Sequence, residues 1–451
     1  MGLLFSVLLP AGYYLPKLYF HSPRPSLSVR TSLGSKEVQR ISLRSFVESK
    51  CPSLYTEFRP AWWLYSGHLQ TGYSVVGDFS KVDKVEYDRT FLRTLDGGTI
   101  GVDFTPSGDQ DLLKDDTPIV VALHGLTGGS HEAYVRTILA PVCAPVKQGG
   151  LGYRGVVVNF RGCAGVPITS PQLYSAGHTE DVRVAVMYIA RKYPKAPLIG
   201  LGFSLGANVM TRYLAEEGQN SRLVAGCVLA CSWDLVKNGI ALDGHFLNHV
   251  VYSKAMGTNL QKLVKRHEAS LSKFSDHPVG KAVPKVLSLK TPALIDFDEN
   301  MTRLAGGSSP PFPFPSAHEY YVWASSHDVL GRIRVPFLAI SSEDDPIVQV
   351  LPVDTGENEW VVFAVTKKGG HLGWFEAGSS FGEVQRWIRK PVVEWIRAVG
   401  QDLVMSRQGK PLHVVDGFLK EVGRDDIGCM EIGGREHVVG VAGEEGLLAG
   451  L

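Results

Sequence analysis

The sequence predicts an α/β fold in which a mostly parallel sheet is flanked by helices. Residues 118–123 and 155–160 are apolar runs of strand length. Such runs are typical of parallel strands that are buried on both faces. Residues 179–193 instead repeat apolar side chains at helical spacing, and Pro194 closes that segment. The alternation of strand and helix between about residues 85 and 230 predicts a sheet covered by helices on both faces.

The alternation continues along the chain and is interrupted by one long insertion. Between Ser232 and about Leu330 the periodicity is lost, and a Pro/Phe-rich run occupies 310–315. Because regular elements resume afterwards, we expect 232–330 to be an irregular, lid-like insertion over one end of the sheet. The further predicted elements are a strand at 198–203, a helix at 205–217, strands at 223–230, 336–340 and 360–365, and a helix around 387–396.

The composition narrows the class of protein. Of 451 residues, 44% are hydrophobic, and 46 Lys and Arg balance 45 Asp and Glu. This composition excludes a disordered chain and a disulfide-stabilised miniprotein, and the balanced charge argues against a nucleic-acid partner. The six cysteines lack the spacing of a disulfide or zinc framework, so we expect reduced thiols and a cytoplasmic protein.

Three parts are predicted: an N-terminal apolar or irregular segment (1–50), one α/β domain (51–400) and a loosely attached C-terminal tail (401–451). Residues 1–20 are apolar but carry Pro10 and Pro16, and they match the M-G-x-x-x-S acylation pattern. The prolines argue against a spanning helix, and the segment has neither the basic start nor the cleavage site of a secretory signal. Peripheral membrane contact through 1–20 and an apolar strand or hairpin on the protein body both remain open.

The clearest chemical signal is the sequence Gly-Phe-Ser-Leu-Gly at 202–206. It stands where the predicted strand 198–203 ends and the helix 205–217 begins. In that strand–turn–helix context a G-x-S-x-G serine projects above the sheet as a nucleophile, and the next N–H contributes to an oxyanion hole. Ser204 is therefore the predicted nucleophile, with the N–H of Leu205 as an oxyanion donor. The alternative is a buried or helix-capping serine.

A serine hydroxyl needs a base and an orienting acid before it can attack. His371 follows the last predicted strand, which is where the base lies when the chain order is Ser, acid, His. The acid is expected in the run Glu343-Asp344-Asp345, directly after the strand 336–340. We favour Asp345, because the following proline orients its backbone. Asp344 is the second choice and Glu343 the third.

Other candidate residues are assigned by position. The loop that follows His124 is expected to supply the second oxyanion donor, from the N–H of Leu126 or, next, of Thr127. His68 and His178 are interpreted as structural. The run from Asp296 resembles a calcium loop but lacks its glycine and glutamate, and neither H-E-x-x-H nor a P-loop motif occurs. We expect no metal or organic cofactor.

Six segments within residues 50–400 together carry a family resemblance. They are 59–71 (RPAWWLYSGHLQT), 124–130 (HGLTGGS), 159–163 (NFRGC), 202–208 (GFSLGAN), 344–346 (DDP) and 369–373 (GGHLG). With these motifs the chain resembles the α/β-hydrolase group of the fungal medium-chain fatty-acid ethyl ester synthase/esterases, the plant embryogenesis-associated hydrolases and the bacterial YheT-like esterases. The resemblance implies serine-dependent turnover of acyl esters, with transfer to an alcohol as a variant, and association with membranes or lipid droplets.

These inferences predict a serine carboxylic-ester hydrolase that acts on medium-chain acyl esters, with water or an alcohol as the acceptor. A monoacylglycerol or phospholipid lipase is an alternative. A different alternative is a lipid-binding or regulatory protein that keeps the fold without turnover. Hydrolysis of peptide or C–C bonds also stays open, because the fold does not fix the substrate.

Overall fold

A computed structural model describes residues 14–439 except 23, 25, 33–34, 109–112, 355–357, 381 and 406–407. Most of the strands within these residues belong to one twelve-stranded sheet with the order β1-β11-β10-β9-β8-β6-β7-β5-β4-β16-β15-β14. The strands are β1 Lys17–Phe20, β2 Leu27–Arg30, β3 Val38–Ile41, β4 Glu86–Thr94, β5 Thr99–Thr105, β6 Ile119–Leu123, β7 Arg154–Asn159, β8 Leu198–Phe203, β9 Leu223–Leu229, β10 Phe337–Ser342, β11 Val361–Thr366, β12 Phe375–Ala377, β13 Val384–Arg386, β14 Leu412–Val415, β15 Phe418–Glu421 and β16 Arg424–Val439.

The centre of the sheet is parallel. Strands β6 to β11 pair in parallel, whereas β1, β5, β4 and the three C-terminal strands join antiparallel at the two sides. Every residue of β6, β7, β8 and β9 is buried, as continuous apolar runs predict for strands covered on both faces. The predicted mostly parallel sheet is confirmed.

Helices cover both faces of this sheet. On one face, α4 and α5 contribute buried side chains such as Val186 and Met210 to the core, and on the other α1, α3 and α14 contribute Phe46, Ile138 and Trp395. The helices are α1 Leu43–Lys50, α2 Gly67–Val76, α3 Ala133–Cys143, α4 Glu180–Lys192, α5 Leu205–Glu217, α6 Leu235–Gly244, α7 Phe246–Asn248, α8 Lys254–Arg266, α9 Glu268–Leu271, α10 Pro278–Ser288, α11 Leu294–Phe297, α12 Arg303–Ala305, α13 Ala317–Ala324 and α14 Arg389–Gln401.

The insertion at 232–330 differs from its expected irregular structure, because it folds into the short helices α6 to α13 between β9 and β10. Two π-helical turns, His249–Ser253 and Asp298–Thr302, interrupt the regular spacing of its side chains. The longest of these helices has 13 residues and several have three or four. Segments this short give little periodic signal, so the sequence pattern did not reveal them. We refer to 232–330 as the inserted segment.

The prediction of a loosely attached tail over 401–451 is wrong for residues 412–439. Strand β16 pairs antiparallel with β4 along most of its length, and β15 and β14 extend the sheet beyond it. Cys429 and Leu419 are buried in the core. Two ion pairs, Arg222–Glu421 at 2.5 Å and Arg424–Glu217 at 2.7 Å, also tie these strands to the body. An irregularity in the pairing between Ile432 and Glu436 breaks the alternation that would identify a long strand.

The N-terminal segment lies partly outside the described residues, which begin at 14. Strand β1 pairs antiparallel with β11 at one side of the sheet, in line with the strand alternative for this segment. Peripheral membrane contact through 1–20 stays a prediction. Within the described ranges, no helix combines the length and apolar character needed to cross a membrane. The six cysteines are buried and carry free thiols.

Candidate active site

Ser204 lies in a tight turn between β8 and α5. Its backbone has φ 51° and ψ −116°, outside the regions that ordinary side chains favour. The Ser204 N–H donates to the carbonyl of Leu229 on β9 at 2.9 Å, which holds the turn against the sheet. A Cβ on Gly202 would come within 2.7 Å of Ala207 Cα, and one on Gly206 within 2.5 Å of the Leu123 carbonyl oxygen. Both flanking positions therefore require glycine.

Ser204, His371 and Asp345 form a continuous hydrogen-bond chain. His371 Nδ1 lies 2.8 Å from Asp345 Oδ2, and His371 Nε2 lies 2.8 Å from Ser204 Oγ. Because the carboxylate can only accept, Nδ1 donates to it and Nε2 accepts the serine hydroxyl proton. All three residues are buried. The structure therefore brings together the three residues that the sequence singled out as nucleophile, base and acid.

The three adjacent acids face different partners. Asp345 uses its second oxygen to accept from the N–H groups of Ile347 and Val348 at 2.8 and 2.9 Å, which fixes its orientation toward His371. Asp344 instead accepts from Ser342 Oγ at 2.7 Å and from the N–H of Gly370 at 3.0 Å. Glu343 forms an ion pair with Lys17 at 2.8 Å. Only Asp345 contacts the imidazole, whereas Asp344 supports the loop that carries it.

The motif at 59–71 supports the His371 loop, a role that sequence reasoning did not assign. Thr71 Oγ1 accepts from the N–H of His371 and donates to the carbonyl of Gly67. The Gln70 side chain bonds both the N–H and the carbonyl of Phe375, four residues beyond the histidine. Gly370 has φ 58° and lies against the Gly67 carbonyl. The sequence signal for this role was that the motif is one of the six segments that carry the family resemblance.

The loop after β6 offers one free amide beside the serine. The N–H of Thr127 donates to Tyr174 Oη at 3.0 Å, and the N–H of Gly128 donates to the Gly125 carbonyl. In the part of the chain that the structure describes, the Leu126 N–H donates to no protein group, and Leu126 lines the same cavity as Ser204 and Leu205. The Leu205 N–H opens α5, where the first amides have no partner within the helix. Leu126 and Leu205, whose amides the sequence proposed as donors, both line the cavity, whereas the Thr127 amide is already bonded.

His124 fixes this loop as a neutral ring. It is completely buried, and burial lowers its pKa to about 4. Its Nδ1 donates to the Gly125 carbonyl at 2.7 Å, and its Nε2 accepts from the N–H of Phe160 at 3.2 Å. At the other end of the loop, the Ser130 hydroxyl donates to Asp103 Oδ2, and the Ser130 N–H donates to Asn159 Oδ1 at 3.0 Å. The loop is therefore held at both ends.

The two histidines interpreted as structural both contact the inserted segment. His68 stacks on Tyr252, and its Nδ1 lies 2.8 Å from the tyrosine oxygen. His178 accepts from the N–H of Ser308 at 3.3 Å through Nε2. Among the described residues, neither histidine forms a hydrogen bond with Ser204 or His371. They join the body of the protein to the segment that covers the site.

A cavity of about 780 Å³, partly open to solvent, lies over Ser204. Much of its wall comes from the inserted segment, and it contains both apolar and polar groups. Asp298 is buried there, accepts from Tyr321 Oη at 2.7 Å and from Thr302 Oγ1, and burial raises its pKa to about 6. Asn238 Nδ2 is buried and has no hydrogen-bond partner among the described residues. The apolar lining includes Leu126, Leu205, Leu242, Met256, Leu260 and Ile347.

Comparison with known proteins assigns the family. A family model described as "alpha/beta hydrolase fold" matches residues 118–376, more than half of the chain. The chain belongs to the α/β-hydrolase family. Its relatives include a monoacylglycerol lipase of Saccharomyces cerevisiae, which is 30% identical over 83% of this chain and 88% of that protein.

Two further relatives match the groups that the motifs suggested. The medium-chain fatty acid ethyl ester synthase/esterase 2 of Saccharomyces cerevisiae is 29% identical over 79% of this chain and 89% of its own length. The embryogenesis-associated protein EMB8 of Picea glauca is 30% identical over 79% of this chain and 75% of its own length. The predicted resemblance is confirmed, and this α/β-hydrolase has lipases and esterases as relatives. Among the described residues, no group of three or more His, Cys, Asp or Glu side chains could hold a metal ion.

The packing at the serine turn of this α/β-hydrolase predicts a sharp difference between two glycine substitutions. Gly206→Ala places a methyl group against the Leu123 and His124 carbonyls, whereas Gly72→Ala places it in open space on α2. We expect Gly206→Ala to lower the free energy of unfolding by about 2 kcal/mol or more, as overpacking does. Gly72→Ala should raise it by up to about 1 kcal/mol, because alanine favours helix. Urea unfolding of both variants is the measurement, and equal midpoints would contradict this account of the turn.

Proposed function

We propose that this α/β-hydrolase is a serine carboxylic-ester hydrolase that works through an acyl-enzyme. The supporting observation is the buried chain Ser204–His371–Asp345, with both hydrogen bonds at 2.8 Å. A nucleophile within hydrogen-bond reach of a base, which is itself oriented by a carboxylate, is the arrangement that activates a serine. The esterase and lipase relatives support the same class of reaction.

In the first step Ser204 Oγ attacks the ester carbonyl carbon while its proton moves to His371 Nε2. The carbonyl electron pair shifts to oxygen, and the resulting oxyanion accepts from the N–H groups of Leu126 and Leu205. Loss of one such donor costs about 3 kcal/mol of transition-state stabilisation in enzymes of this kind. Asp345 stabilises the imidazolium that forms and keeps Nε2 directed at the serine.

The oxyanion then collapses, and the bond to the leaving alcohol breaks. His371 gives its proton to the departing oxygen, which leaves an ester between Ser204 and the acyl group. A water molecule attacks this ester, with His371 again as the base, and releases the free acid and the serine. When an alcohol such as ethanol attacks instead, the product is a new ester. Hydrolysis and acyl transfer therefore share every residue and differ only in the acceptor.

The apolar part of the cavity supports an acyl chain, and we keep medium-chain acyl esters as the proposed substrate. A second candidate is the ester of a polyhydric alcohol, such as a monoacylglycerol. It is favoured by two polar groups in the same cavity, the Asp298 carboxyl and the Asn238 Nδ2 group, which donates to no other described residue. A hydroxyl can donate to the first and accept from the second. Similarity to a monoacylglycerol lipase points the same way.

The first experiment is the turnover of p-nitrophenyl esters from acetate to palmitate, with and without ethanol, for the wild type and Ser204→Ala. We expect a maximum at medium chain length in the wild type and no turnover in the variant. Ethyl ester that appears as free acid falls would establish acyl transfer. Labelling by a fluorophosphonate only when Ser204 is present provides an independent readout. A wild type that neither labels nor turns over any ester would support the lipid-binding alternative.

Substitution of the two neighbouring aspartates gives a matched test of the triad. Asp345→Asn removes the charge that orients His371 and stabilises its protonated form, so kcat should fall by about 10⁴. Asp344→Asn alters the bonds to Ser342 and Gly370 and removes the ion pair with Lys368, but it leaves the imidazole contact intact, so kcat should fall by no more than about tenfold. Steady-state kinetics on one p-nitrophenyl ester measures both. Equal losses would mean that Asp345 has no special role in catalysis.

Asp298 should make stability depend on pH in a defined direction. Its pKa is raised to about 6, so the folded protein binds this proton more tightly than the unfolded chain. The group's stabilising contribution is complete below its unfolded pKa of about 3.9 and is lost as pH rises through 6. Asn at position 298 does not titrate, so the stability of Asp298→Asn relative to that of the wild type should rise by about 2 kcal/mol between pH 4 and pH 8.

Urea unfolding at both pH values measures this change in stability. The control is Asp115→Asn, which removes a carboxyl group that is 78% exposed. The Asp298→Asn variant should also lose turnover of a monoacylglycerol more than of a p-nitrophenyl ester of the same chain length. An unchanged ratio of the two activities would remove the support for a polyhydric alcohol in the cavity.

A further inference from the structure

The inserted segment carries five large apolar side chains on its outer surface. They are Ile240, Phe246, Leu247, Val250 and Val251, with exposed fractions of 69, 85, 53, 43 and 45%. We call these five residues the apolar patch. They lie on consecutive elements, α6, α7 and the π turn that follows α7. Scattered exposed apolar residues are ordinary, but five within twelve residues mark a surface that contacts another molecule.

The helical part of the patch has its amphipathic character reversed. Across α7 and the π turn, Asn248, Tyr252 and Ser253 face inward and are buried, whereas the side that faces solvent holds Phe246, Leu247, Val250 and Val251. A surface helix of a water-soluble domain normally buries its apolar face and exposes its polar face. The reversal indicates an outer environment that is itself apolar.

The patch adjoins the catalytic cavity. Ile240 lines a second cavity whose wall includes Gly239, Leu242, Leu294 and Tyr321, and these four residues also line the cavity over Ser204. At Ile240 the patch therefore borders a cavity that shares these four wall residues with the cavity over the serine. The position of the patch beside the catalytic cavity is explained if the molecule or surface that contacts the patch also contains the ester substrate.

The charges around the patch fit a lipid surface. Asp243 is the single carboxylate between residues 235 and 254, and it is engaged by His249 at 3.0 Å and by Ser253 Oγ at 2.9 Å. Lys254 flanks the patch in sequence on one side, and Lys237, which pairs with Asp234 at 3.1 Å, flanks it on the other. An apolar face bordered by lysines is the arrangement of helices that lie in a membrane interface, where the lysines meet anionic headgroups.

We propose that the apolar patch inserts into the acyl layer of a membrane surface and places the catalytic cavity against the lipid from which the substrate is drawn. The purpose of this docking, which is to supply substrate, rests on the proposed esterase function. The docking itself does not depend on that function. It differs from contact through residues 1–20, because the contact surface is the inserted segment.

A fluorescent probe on the patch tests the docking in the full chain. Leu247→Cys is labelled with an environment-sensitive dye, and Val146→Cys, at a valine that is 70% exposed and far along the chain from the patch, is the matched control. The native cysteines are buried, which favours reaction at the introduced site. With mixed phosphatidylcholine–phosphatidylserine vesicles we expect a blue shift, and quenching by brominated acyl chains, at position 247 and neither effect at position 146.

Each other outcome overturns the proposal. If the protein sediments with vesicles but the probe at position 247 shows no change in fluorescence, the membrane contact lies on another surface. If the probe is shielded from iodide in the absence of vesicles, another part of the chain covers the patch. If that shielding increases with protein concentration, a second copy of the chain covers it. The same probe in a Ser204→Ala background should respond identically, so a failure of the esterase proposal remains distinguishable.

Substitution of the patch tests its consequence. The variant Phe246→Ser/Leu247→Ser/Val250→Ser should retain kcat/KM on a water-soluble short-chain ester but lose at least tenfold in the turnover of the same acyl type presented in vesicles. The control variant Val76→Ser/Val146→Ser/Val414→Ser removes three other exposed side chains and should lose neither activity. Equal losses on soluble and vesicle-borne esters, or equal losses in both variants, would contradict the proposal. Urea unfolding establishes that both variants fold.

Discussion

The site depends on the close contact between the Ser204 turn and the strands beside it. A serine at φ 51° is held there because its N–H bonds the Leu229 carbonyl on β9 and because α5 begins immediately against the carbonyl of Leu123 on β6. The strain cannot relax without moving the centre of the parallel sheet. The same contact orients the first amides of α5 toward the cavity, so the nucleophile and the Leu205 N–H are positioned together.

His371 and Asp345, the proposed base and acid, reach the serine from the ends of two other parallel strands. Asp345 follows β10 and His371 follows β11, and the carboxyl ends of parallel strands meet at one edge of a sheet. The loops alone would leave the imidazole loosely placed. Thr71 and Gln70, 300 or more residues earlier in the chain, accept from the N–H groups of His371 and of Phe375 and supply the missing rigidity. A side chain held this way keeps the geometry that proton transfer requires.

The sequence was sufficient for the features that depend on local pattern. Runs of buried apolar residues located the central strands, and the order of Ser204, Asp345 and His371 selected one histidine among fourteen. The choice of Asp345 over Asp344 rested on one proline, and the structure adds the bonds to Ile347 and Val348 that turn the carboxylate. What the sequence could not supply depends on distant partners. β16 is a strand because β4 offers an unpaired edge, and the motif at 67–71 has its role only beside the His371 loop.

The inserted segment combines two unusual distributions of polarity, one on its inner surface and one on its outer surface. Its inner surface holds a buried carboxyl, Asp298, whose raised pKa means that the ionised form weakens the fold. It also holds the Asn238 Nδ2 group, which finds no acceptor among the described residues. Its outer surface exposes Phe246 and its apolar neighbours to water. Both features lower the stability of an isolated protein, and both become favourable when a lipid lies outside and a hydroxyl-bearing ester lies inside. A segment built for stability alone would have the reverse arrangement, and the lipid surface that we propose, with its ester drawn into the cavity, is an environment that would account for this one.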